Sequence, residues 1–514
     1  LFLMIRRPPR STRKESSAAS DVYKRQTIFI SHQMIQNMED ELDEVTLTQR
    51  RKASQKSFIE TQNILKISSE ELLKAACCNL SESFETNPAI DVNFTDALTG
   101  TKQIKMLGLS SPYLLISEEN IPMVRGASQA YGLTFTPGAW VESIQISKGA
   151  GSVTNGFESI AGQINTELKK PLSDIPFFLN LFGSINGRYE MNTHLNHKID
   201  EKWSTGLFLH GNKRTQRFDN NNDGFLDLPV SEQINLMNRW QYTDMEKGWV
   251  SFLTWRYMKD EKLLGTLSFN SQKDRGKKNH WGSEIKTKRW DASFKLGYVF
   301  PETPYQSFGF QTAYSSHIQD SYYGLRTYDI HQDSFYTNLI FNSIIGNTLN
   351  KFKVGLNYSF DDYAELVNLD NYNRIDQNIG SFFEFSHDNN DNFSLIAGIR
   401  MDFHNNFGSF FTPRLHLRYV LLEKFVIRLS AGSGRKAANI FAENQTLFAT
   451  NRSIKIQSSL GKIYGLDPEK ALNYGLGLSK SFYIGNPHQI TFSADYYITQ
   501  FTNQVMVDFE KPRE

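Results

Sequence analysis

The stretch VESIQISKGAGSVTNGFESIAGQINTELKKP, residues 141–171, joins two apolar–polar alternations through a glycine-rich turn. Alternation with a period of two is typical of strands whose two faces meet different surroundings. Glycine permits positive φ or a close backbone approach, and serine or asparagine can cap or turn the chain. The pattern predicts a strand, a tight turn and a second strand, shaped by Gly149, Gly151, Ser152, Gly156, Gly162 and Asn165.

The glycines of this turn do not form a phosphate-binding loop. A P-loop needs Lys and then Ser or Thr directly after its second conserved glycine. Phe157 and Glu158 follow Gly156 instead. Taken alone, the residues therefore indicate a tight hairpin and no phosphate site.

The rest of the chain repeats one strand pattern. In KFKVGLNYSF, residues 351–360, apolar residues alternate with polar residues or glycine, and RWDASFKLGYVF, residues 289–300, follows the same rule. We count roughly fourteen such segments between residues 177 and 500. Short connections such as residues 345–347 alternate with long ones such as residues 213–232. Long strands with one polar face favour an up-and-down transmembrane barrel over a soluble sandwich.

The composition is consistent with such a barrel. Aromatic residues make up 13% of the 514 residues, although the mean hydropathy is -0.46. Lys plus Arg number 56 and Asp plus Glu 55, a formal net charge of +1, which gives no argument for a nucleic-acid partner. No apolar run reaches the length of a membrane-spanning helix. The two cysteines, Cys77 and Cys78, are adjacent and cannot form a disulfide framework.

Four segments differ in character. Residues 1–26 are basic and serine-rich and resemble translated sequencing-adapter read-through, so we expect them to be non-native. Residues 27–49 form a linker. Residues 50–171 carry short mixed elements with frequent glycine and predict a compact α/β domain. Residues 172–514 carry the barrel pattern.

The quoted stretch resembles the end of the plug domain in TonB-dependent outer-membrane receptors, in their Bacteroidetes-type form. The family pattern there is roughly R-I-E-V-x-x-G-P-x-S-x-x-Y-G-x-x-A-I-G-G-V-I-N-I-x-T-K. Ala150, Asn155 and Ala161 depart from it, and GSGRKAANIFAEN, residues 432–444, is similar to a barrel motif of the family. The matching positions are Gly149, Ser152, Gly156, Ile160, Gly162, Ile164 and Asn165.

This resemblance implies a mostly β protein, with an N-terminal α/β plug followed by a transmembrane antiparallel barrel in the bacterial outer membrane. It implies a receptor, not an enzyme, for active uptake of a scarce nutrient, with a metal complex or siderophore favoured. The implied partners are a TonB-type energy-coupling protein, outer-membrane lipid and a small-molecule or metal-complex ligand. A TonB box, which would pair with an edge of the coupling protein, is predicted at Glu44, Val45, Thr46, Leu47 and Thr48.

Family barrels have about 22 strands, so roughly fourteen segments predict a chain cut at both ends. Two other functions are compatible with parts of the pattern. A passive or structural outer-membrane barrel would have no plug, which residues 50–171 argue against. A soluble glycan-binding β protein would need no lipid.

The motif DNNNDGFLD, residues 219–227, resembles a calcium loop. Oxygen ligands at alternate positions around a glycine turn suit Ca²⁺, and Gly224 stands at position 6. The usual acid at position 12 is replaced by Val230, with Glu232 two residues further on. The sequence leaves two interpretations open, a polar turn or a loop ordered by calcium through Asp219, Asn221, Asp223 and Asp227.

Overall fold

The structure is a computed structural model of the 514-residue chain. It describes residues 54–56, 60–69, 79–84, 90–94, 102–185, 187–422, 425–450, 452–457, 461–483 and 489–508. The predicted non-native segment 1–26, the predicted TonB box at residues 44–48, and Cys77 and Cys78 lie outside the described residues.

The described part of the N-terminal domain is a small α/β unit. The helix α1 (Leu80–Ser83) is capped at its start by Asn79, whose side chain accepts from the Glu82 amide. One sheet has the order β1-β2-β8-β9-β6-β7, and a second has the order β3-β4-β5. The strands are β1 (Ser54–Lys56), β2 (Ile64–Ser68), β3 (Asp91–Phe94), β4 (Lys102–Met106), β5 (Leu109–Ser110), β6 (Leu114–Glu118), β7 (Ile121–Pro122), β8 (Val141–Lys148) and β9 (Gly162–Leu168).

The predicted strand–turn–strand is present as β8 and β9. The two strands pair antiparallel, and Lys148 lies opposite Gly162 at the mouth of the turn. Strand β9 pairs parallel with β6 on its other side, so it is the central strand of the sheet. All seven residues of β9 are buried, because they lie between the domain core and the surrounding wall.

The second domain is one large antiparallel sheet that curves around the first. Its path runs from β10 to β25 in chain order, with β19 beside β18. The strands are β10 (Phe177–Gly183), β11 (Arg188–Lys198), β12 (Trp203–Arg214), β13 (Val230–Asp244), β14 (Trp249–Gly265), β15 (Gly282–Val299), β16 (Ser307–Tyr323), β17 (Arg326–Ile345), β18 (Asn347–Val367), β19 (Asp370–Asn371), β20 (Arg374–Asp388), β21 (Phe393–His404), β22 (Gly408–Leu422), β23 (Phe425–Lys436), β24 (Glu469–Tyr483) and β25 (Gln489–Asn503).

The sheet has apolar side chains on its outer face and polar side chains on its inner face, the reverse of the arrangement in a soluble protein. On β18 the apolar Val354 and Leu356 are 42% and 57% exposed, whereas the polar Asn357 and Asp361 are 5% and 3% exposed. Period two therefore places an apolar face outward, where lipid lies, and a polar face inward against the plug. This confirms the barrel predicted from the same alternation, with sixteen strands described where the sequence suggested roughly fourteen.

The two ends of the barrel differ in their connections. Short turns such as residues 245–248 and 389–392 lie at one end, and long loops at residues 215–229, 266–281 and 437–468 lie at the other. Two of the long loops contain the short helices α2 (Ser271–Asp274) and α3 (Ile440–Glu443). Among the described residues, no helix is both long and apolar enough to cross a bilayer.

Candidate functional site

The glycine turn between β8 and β9 needs its glycines for different reasons. Gly149 and Gly156 adopt φ of +80° and +113°, which disfavours a side chain. A Cβ on Gly162 would lie 1.8 Å from Met106 Cε and 2.6 Å from the Ser147 carbonyl oxygen. A Cβ on Gly151 would fall within 2.0–2.4 Å of the Gln163 side chain. The predicted residues therefore shape a turn that is both tight and closely covered.

Two arginines of the barrel wall hold the same turn by its backbone. Arg414 donates from Nη1 to the Ser152 carbonyl at 2.7 Å and from Nη2 to the Ser159 carbonyl at 3.4 Å. Arg400 donates from Nη1 to the Val153 carbonyl at 3.4 Å. Both arginines are buried, so these charge-assisted bonds have little competition from water. We call the contact between residues 149–161 and the barrel wall the plug seat.

The remaining predicted turn residues also make defined contacts. The Ser152 hydroxyl donates to Glu384 Oε2 at 2.6 Å, a second link to the barrel wall. Asn165 Oδ1 accepts from the Asn120 amide at 2.7 Å and from the Ser117 hydroxyl at 3.2 Å. Asn165 therefore fixes the neighbouring hairpin β6–β7 within the plug.

That hairpin carries two adjacent acids, the half-buried Glu118 and the buried Glu119, which the sequence analysis missed. Glu119 accepts from Arg239 Nη2 at 2.5 Å and lies 3.5 Å from Lys295 Nζ. Glu118 lies 3.5 Å from Arg256 Nη1. Burial alone would raise the pKa of Glu119, but Arg239 and Lys295 outweigh it and lower the pKa to about 2. Burial raises the pKa of Glu118, and Arg256 offsets this only in part.

A third contact joins the plug to the barrel at the opposite side of β6. Arg125 donates from Nη2 to both carboxylate oxygens of Asp361, at 2.8 and 2.6 Å. The adjacent Ala127 amide donates to Gln332 Oε1 at 2.8 Å. Gly126 has φ of +57°, and a Cβ there would lie 2.5 Å from Gln332 Oε1 and from the Tyr363 hydroxyl. The chain can reach the wall here only with glycine.

A chamber opens beside Arg125 between the plug and the end of the barrel with the long loops. It is partly open to solvent, and its cavity volume is about 70 Å³. Its walls come from plug residues 112–129 and 155–158 and from the barrel strands β17, β18, β20, β21 and β23. Its ionisable lining residues are Arg125, Glu158, Asp361, Asp376, His404, Lys436 and Glu443, with Tyr336 and Tyr363 beside them.

Lys436 links this chamber to the plug through carboxylates. Its Nζ donates to Glu443 Oε2 at 2.6 Å and to Glu469 Oε2 at 3.2 Å. Tyr113 of the plug donates its hydroxyl to Glu469 Oε1 at 2.8 Å. Burial, followed by the negative charge of Glu469, raises the pKa of Tyr113 above its usual value, so this phenol stays protonated as a donor.

Residues 437–450, the first part of the loop after β23, fold inward and border the chamber. Phe448 stacks on Tyr328 and Tyr323 of the barrel wall, with ring centroids 4.8 and 5.4 Å apart. Phe441 of α3 belongs to the same cluster, which also includes Tyr131 of the plug. Plug, wall and loop therefore share one aromatic core beneath the loop.

The side chains of the predicted calcium loop accept hydrogen bonds from the backbone of the same loop. Asp219 accepts from the Asp223 and Gly224 amides at 3.1 and 2.9 Å, and Asp223 accepts from the Phe225 amide at 2.8 Å. Asp227 accepts from the Asn220 amide at 2.8 Å. No group of three or more His, Cys, Asp or Glu side chains converges as a metal site in the described part of the chain. The carboxylates here tie the loop to itself, and calcium binding stays a prediction.

A barrel with an apolar outer face and a second domain fixed inside it defines a plugged outer-membrane transport protein. Residues 203–513 match the family model "TonB dependent receptor-like, beta-barrel", and residues 58–163 match the "TonB-dependent Receptor Plug Domain". The chain belongs to the TonB-dependent receptor family, whose members are outer-membrane receptors and transporters and not enzymes. The family resemblance drawn from residues 141–171 is thereby confirmed.

Solved structures share the fold at low sequence identity. The siderophore receptor PirA from Pseudomonas aeruginosa is 16% identical, with 87% of this chain and 76% of that chain covered and a TM-score of 0.64. FpvA from the same organism, bound to heterologous pyoverdines, is 14% identical, with 87% and 64% covered and a TM-score of 0.67. A variant of its ferric enterobactin receptor PfeA is 13% identical, with 87% and 73% covered and a TM-score of 0.65. No curated protein shows a significant match to the chain.

Proposed function

We propose that this receptor takes up a metal complex of the siderophore class across the outer membrane, driven by a TonB-type energy-coupling protein. The observation that carries the proposal is the chamber, because plug and barrel build its walls together. A ligand bound there touches the plug and the outer loops at once. Ligand occupancy can therefore change how firmly the plug is held.

The long-loop end of the barrel faces outward in this class of protein. The chamber lies at that end, so a ligand from outside reaches it first. Among the similar solved structures, PirA is a siderophore receptor, PfeA is a ferric enterobactin receptor, and FpvA was solved as a complex with pyoverdine and iron. These ligands support a metal chelate for this receptor. A passive channel is less compatible with the structure, because Arg414, Arg239 and Asp361 all hold the plug inside the barrel.

Uptake of labelled iron tests this function. The gene for the chain would be expressed in an iron-limited host that lacks its own siderophores and siderophore receptors. Ferric siderophores of hydroxamate, catecholate and carboxylate types would be supplied in turn. We expect uptake of at least one type only when the coupling protein is present. Equal uptake without that protein, or no uptake of any chelate by receptor shown to be at the surface, would contradict the proposal.

Deletion of residues 44–48 separates energy coupling from binding. We expect the deletion to abolish uptake and to leave ligand binding at the cell surface unchanged, because Glu44, Val45, Thr46, Leu47 and Thr48 would serve only as the extended segment that pairs with the coupling protein. A deletion of equal length at residues 30–34 of the same linker is the matched control. Normal uptake after deletion of residues 44–48 would place the TonB box elsewhere.

A further inference from the structure

The chamber has an excess of negative charge. Four carboxylates line it against two cations, Arg125 and Lys436. Each cation already has a carboxylate partner, since Arg125 lies 2.6 Å from Asp361 and Lys436 lies 2.6 Å from Glu443. The excess charge therefore lies on the other two lining carboxylates, Glu158 and Asp376.

Neither of these two carboxylates has a cation to itself. Glu158 lies 3.8 Å from Arg125, which is closer to Asp361. Asp376 lies 3.4 Å from Arg374 Nε, and Arg374 also donates to Glu365 at 3.0 Å. Burial raises the pKa of Glu158, Arg125 and Lys436 lower it, and Asp361 and Asp376 raise it, with a net upward shift. Carboxylates that repel one another in a partly enclosed space are stabilised when a cation binds between them.

Aromatic rings stand next to the carboxylates. His404 stacks on Phe407 with centroids 4.1 Å apart, and Phe157 meets His404 edge-on at 6.3 Å. The faces of such rings attract cations. The chamber already shows this interaction, because Arg374 lies 3.8 Å above the ring of its lining residue Tyr363.

One buried polar group at the chamber wall is unsatisfied. The Tyr336 side chain is 7% exposed, and its hydroxyl has no hydrogen-bond partner among the described residues. Tyr336 lines the chamber on the side of Asp361. The hydroxyl is enclosed by the wall, with Asn338 of the same strand beside it, so Tyr336 is a fixed part of the chamber wall.

We propose that the chamber binds a positively charged group of the transported ligand between Glu158 and Asp376, over the rings of Phe157, His404 and Phe407. The transported ligand then carries an ammonium or guanidinium group on the face that enters the chamber first. Anionic chelates without such a group are disfavoured at this point, since the excess negative charge of Glu158 and Asp376 faces them. This inference rests on the proposed uptake function and specifies the ligand class.

Thiol reagents of opposite charge can measure whether the chamber prefers cations to anions, even though the transported ligand is not identified. In a chain with Cys77→Ser and Cys78→Ser, the substitution Ser359→Cys places one thiol in the chamber wall. The purified protein reacts in detergent with methanethiosulfonates that carry either trimethylammonium or sulfonate. We expect the ratio of the cationic to the anionic rate to exceed the same ratio on free 2-mercaptoethanol by about tenfold, the factor that corresponds to roughly 1.4 kcal/mol.

The substitutions Glu158→Gln and Asp376→Asn should each lower this ratio several-fold, and together they should bring it near the free-thiol value. The two reagents are similar in size, so a change in access alters both rates and leaves the ratio unchanged. Ser268→Cys, on the exposed loop at residues 266–281, is the control, and its ratio should not respond to either substitution. A ratio at or below the free-thiol value, or one unchanged by the double substitution, would overturn the inference. The iron-uptake experiment does not depend on this rate ratio. A failure of the cation-site inference can therefore be distinguished from a failure of the proposed uptake function.

Discussion

Arg414 Nη1 of the barrel wall donates to the Ser152 carbonyl of the plug at 2.7 Å, across 262 positions of sequence. The same guanidinium reaches the Ser159 carbonyl at 3.4 Å. Both acceptors belong to the glycine turn that identifies the family. The turn is thus built to present backbone oxygens to a buried cation, and its small residues let the wall approach.

Arg414→Lys should loosen the plug seat. Lysine keeps the charge but lacks the fork that reaches two carbonyls at once, and a hydrogen bond to a charged group contributes about 1.5–3 kcal/mol. We expect the receptor to open at a lower urea concentration in planar bilayers, as the plug leaves its seat. Arg217→Lys is the matched control, because Arg217 also donates to two carbonyls, those of Leu267 and Phe269, but only within an outer loop. If the parent and Arg414→Lys open at the same urea midpoint, Arg414 does not hold the plug in its seat.

Gly162→Ala should destabilise the plug by about 1–3 kcal/mol, the usual cost of overpacking. The new methyl group would meet Met106 Cε and the Ser147 carbonyl oxygen. Adding Met106→Ala should restore only part of the loss, because the backbone oxygen stays in place. Proteolysis of the plug in the intact receptor reports the effect. Gly211→Ala, where only the Gln233 carbonyl lies within 4 Å at 3.9 Å, should leave the protein unchanged; a similar loss there would show that the assay does not isolate the plug.

The loop at residues 219–227 offers a test of the calcium prediction. If Asp223 is a ligand, calcium should raise the melting temperature of the parent and not that of Asp223→Ala. Asp219→Ala should lower loop stability with or without calcium, because Asp219 accepts from two backbone amides. Calcium titration followed by calorimetry distinguishes the two interpretations. An identical calcium response in parent and Asp223→Ala would remove the site and leave a polar turn.

The sequence patterns correctly predicted those features of the fold that depend only on neighbouring residues in the chain. The alternation in residues 351–360 indicated β18 and its outward apolar face, and the glycines of residues 149–156 indicated the turn between β8 and β9. The spacing of the glycines in this turn also supported the resemblance to the TonB-dependent receptor family. Counting periods suggested roughly fourteen of the sixteen described strands, and the lengths of the connections indicated the long-loop end.

The contacts that close the plug in the barrel could not be predicted in this way. Arg125 and Asp361 are 236 positions apart, and Glu119 and Arg239 are 120 apart. Each residue alone looks like an ordinary charge on a turn or on the polar face of a strand. Only the folded chain brings them together. The adjacent acids at the start of EEN, residues 118–120, were the one local signal that a hairpin tip carries charge into the interior.

The ion pairs of Glu119 give the plug a specific dependence on pH. Because Arg239 and Lys295 lower its pKa in the folded state to about 2 from a usual 4.5, the carboxylate contributes its full stabilisation above about pH 4.5. That stabilisation is lost as the pH falls through about 2. A shift of this size corresponds to about 3 kcal/mol. Glu118, whose pKa is raised from its usual 4.5, acts in the opposite sense: its contribution to stability falls as the pH rises through 4.5, and its slope fades as the pH drops below that value.

We therefore expect the urea midpoint for plug release to fall steadily between about pH 4.5 and pH 2. Glu119→Gln should lower the midpoint already at neutral pH, because it leaves Arg239 buried with a weaker partner, and it should flatten the slope in the acid window. Glu246→Gln, on the exposed turn at residues 245–248, should keep the slope of the parent. An unchanged slope in Glu119→Gln would mean that other carboxylates, such as Asp174 with its lowered pKa, carry the acid response and that the hairpin tip does not hold the plug.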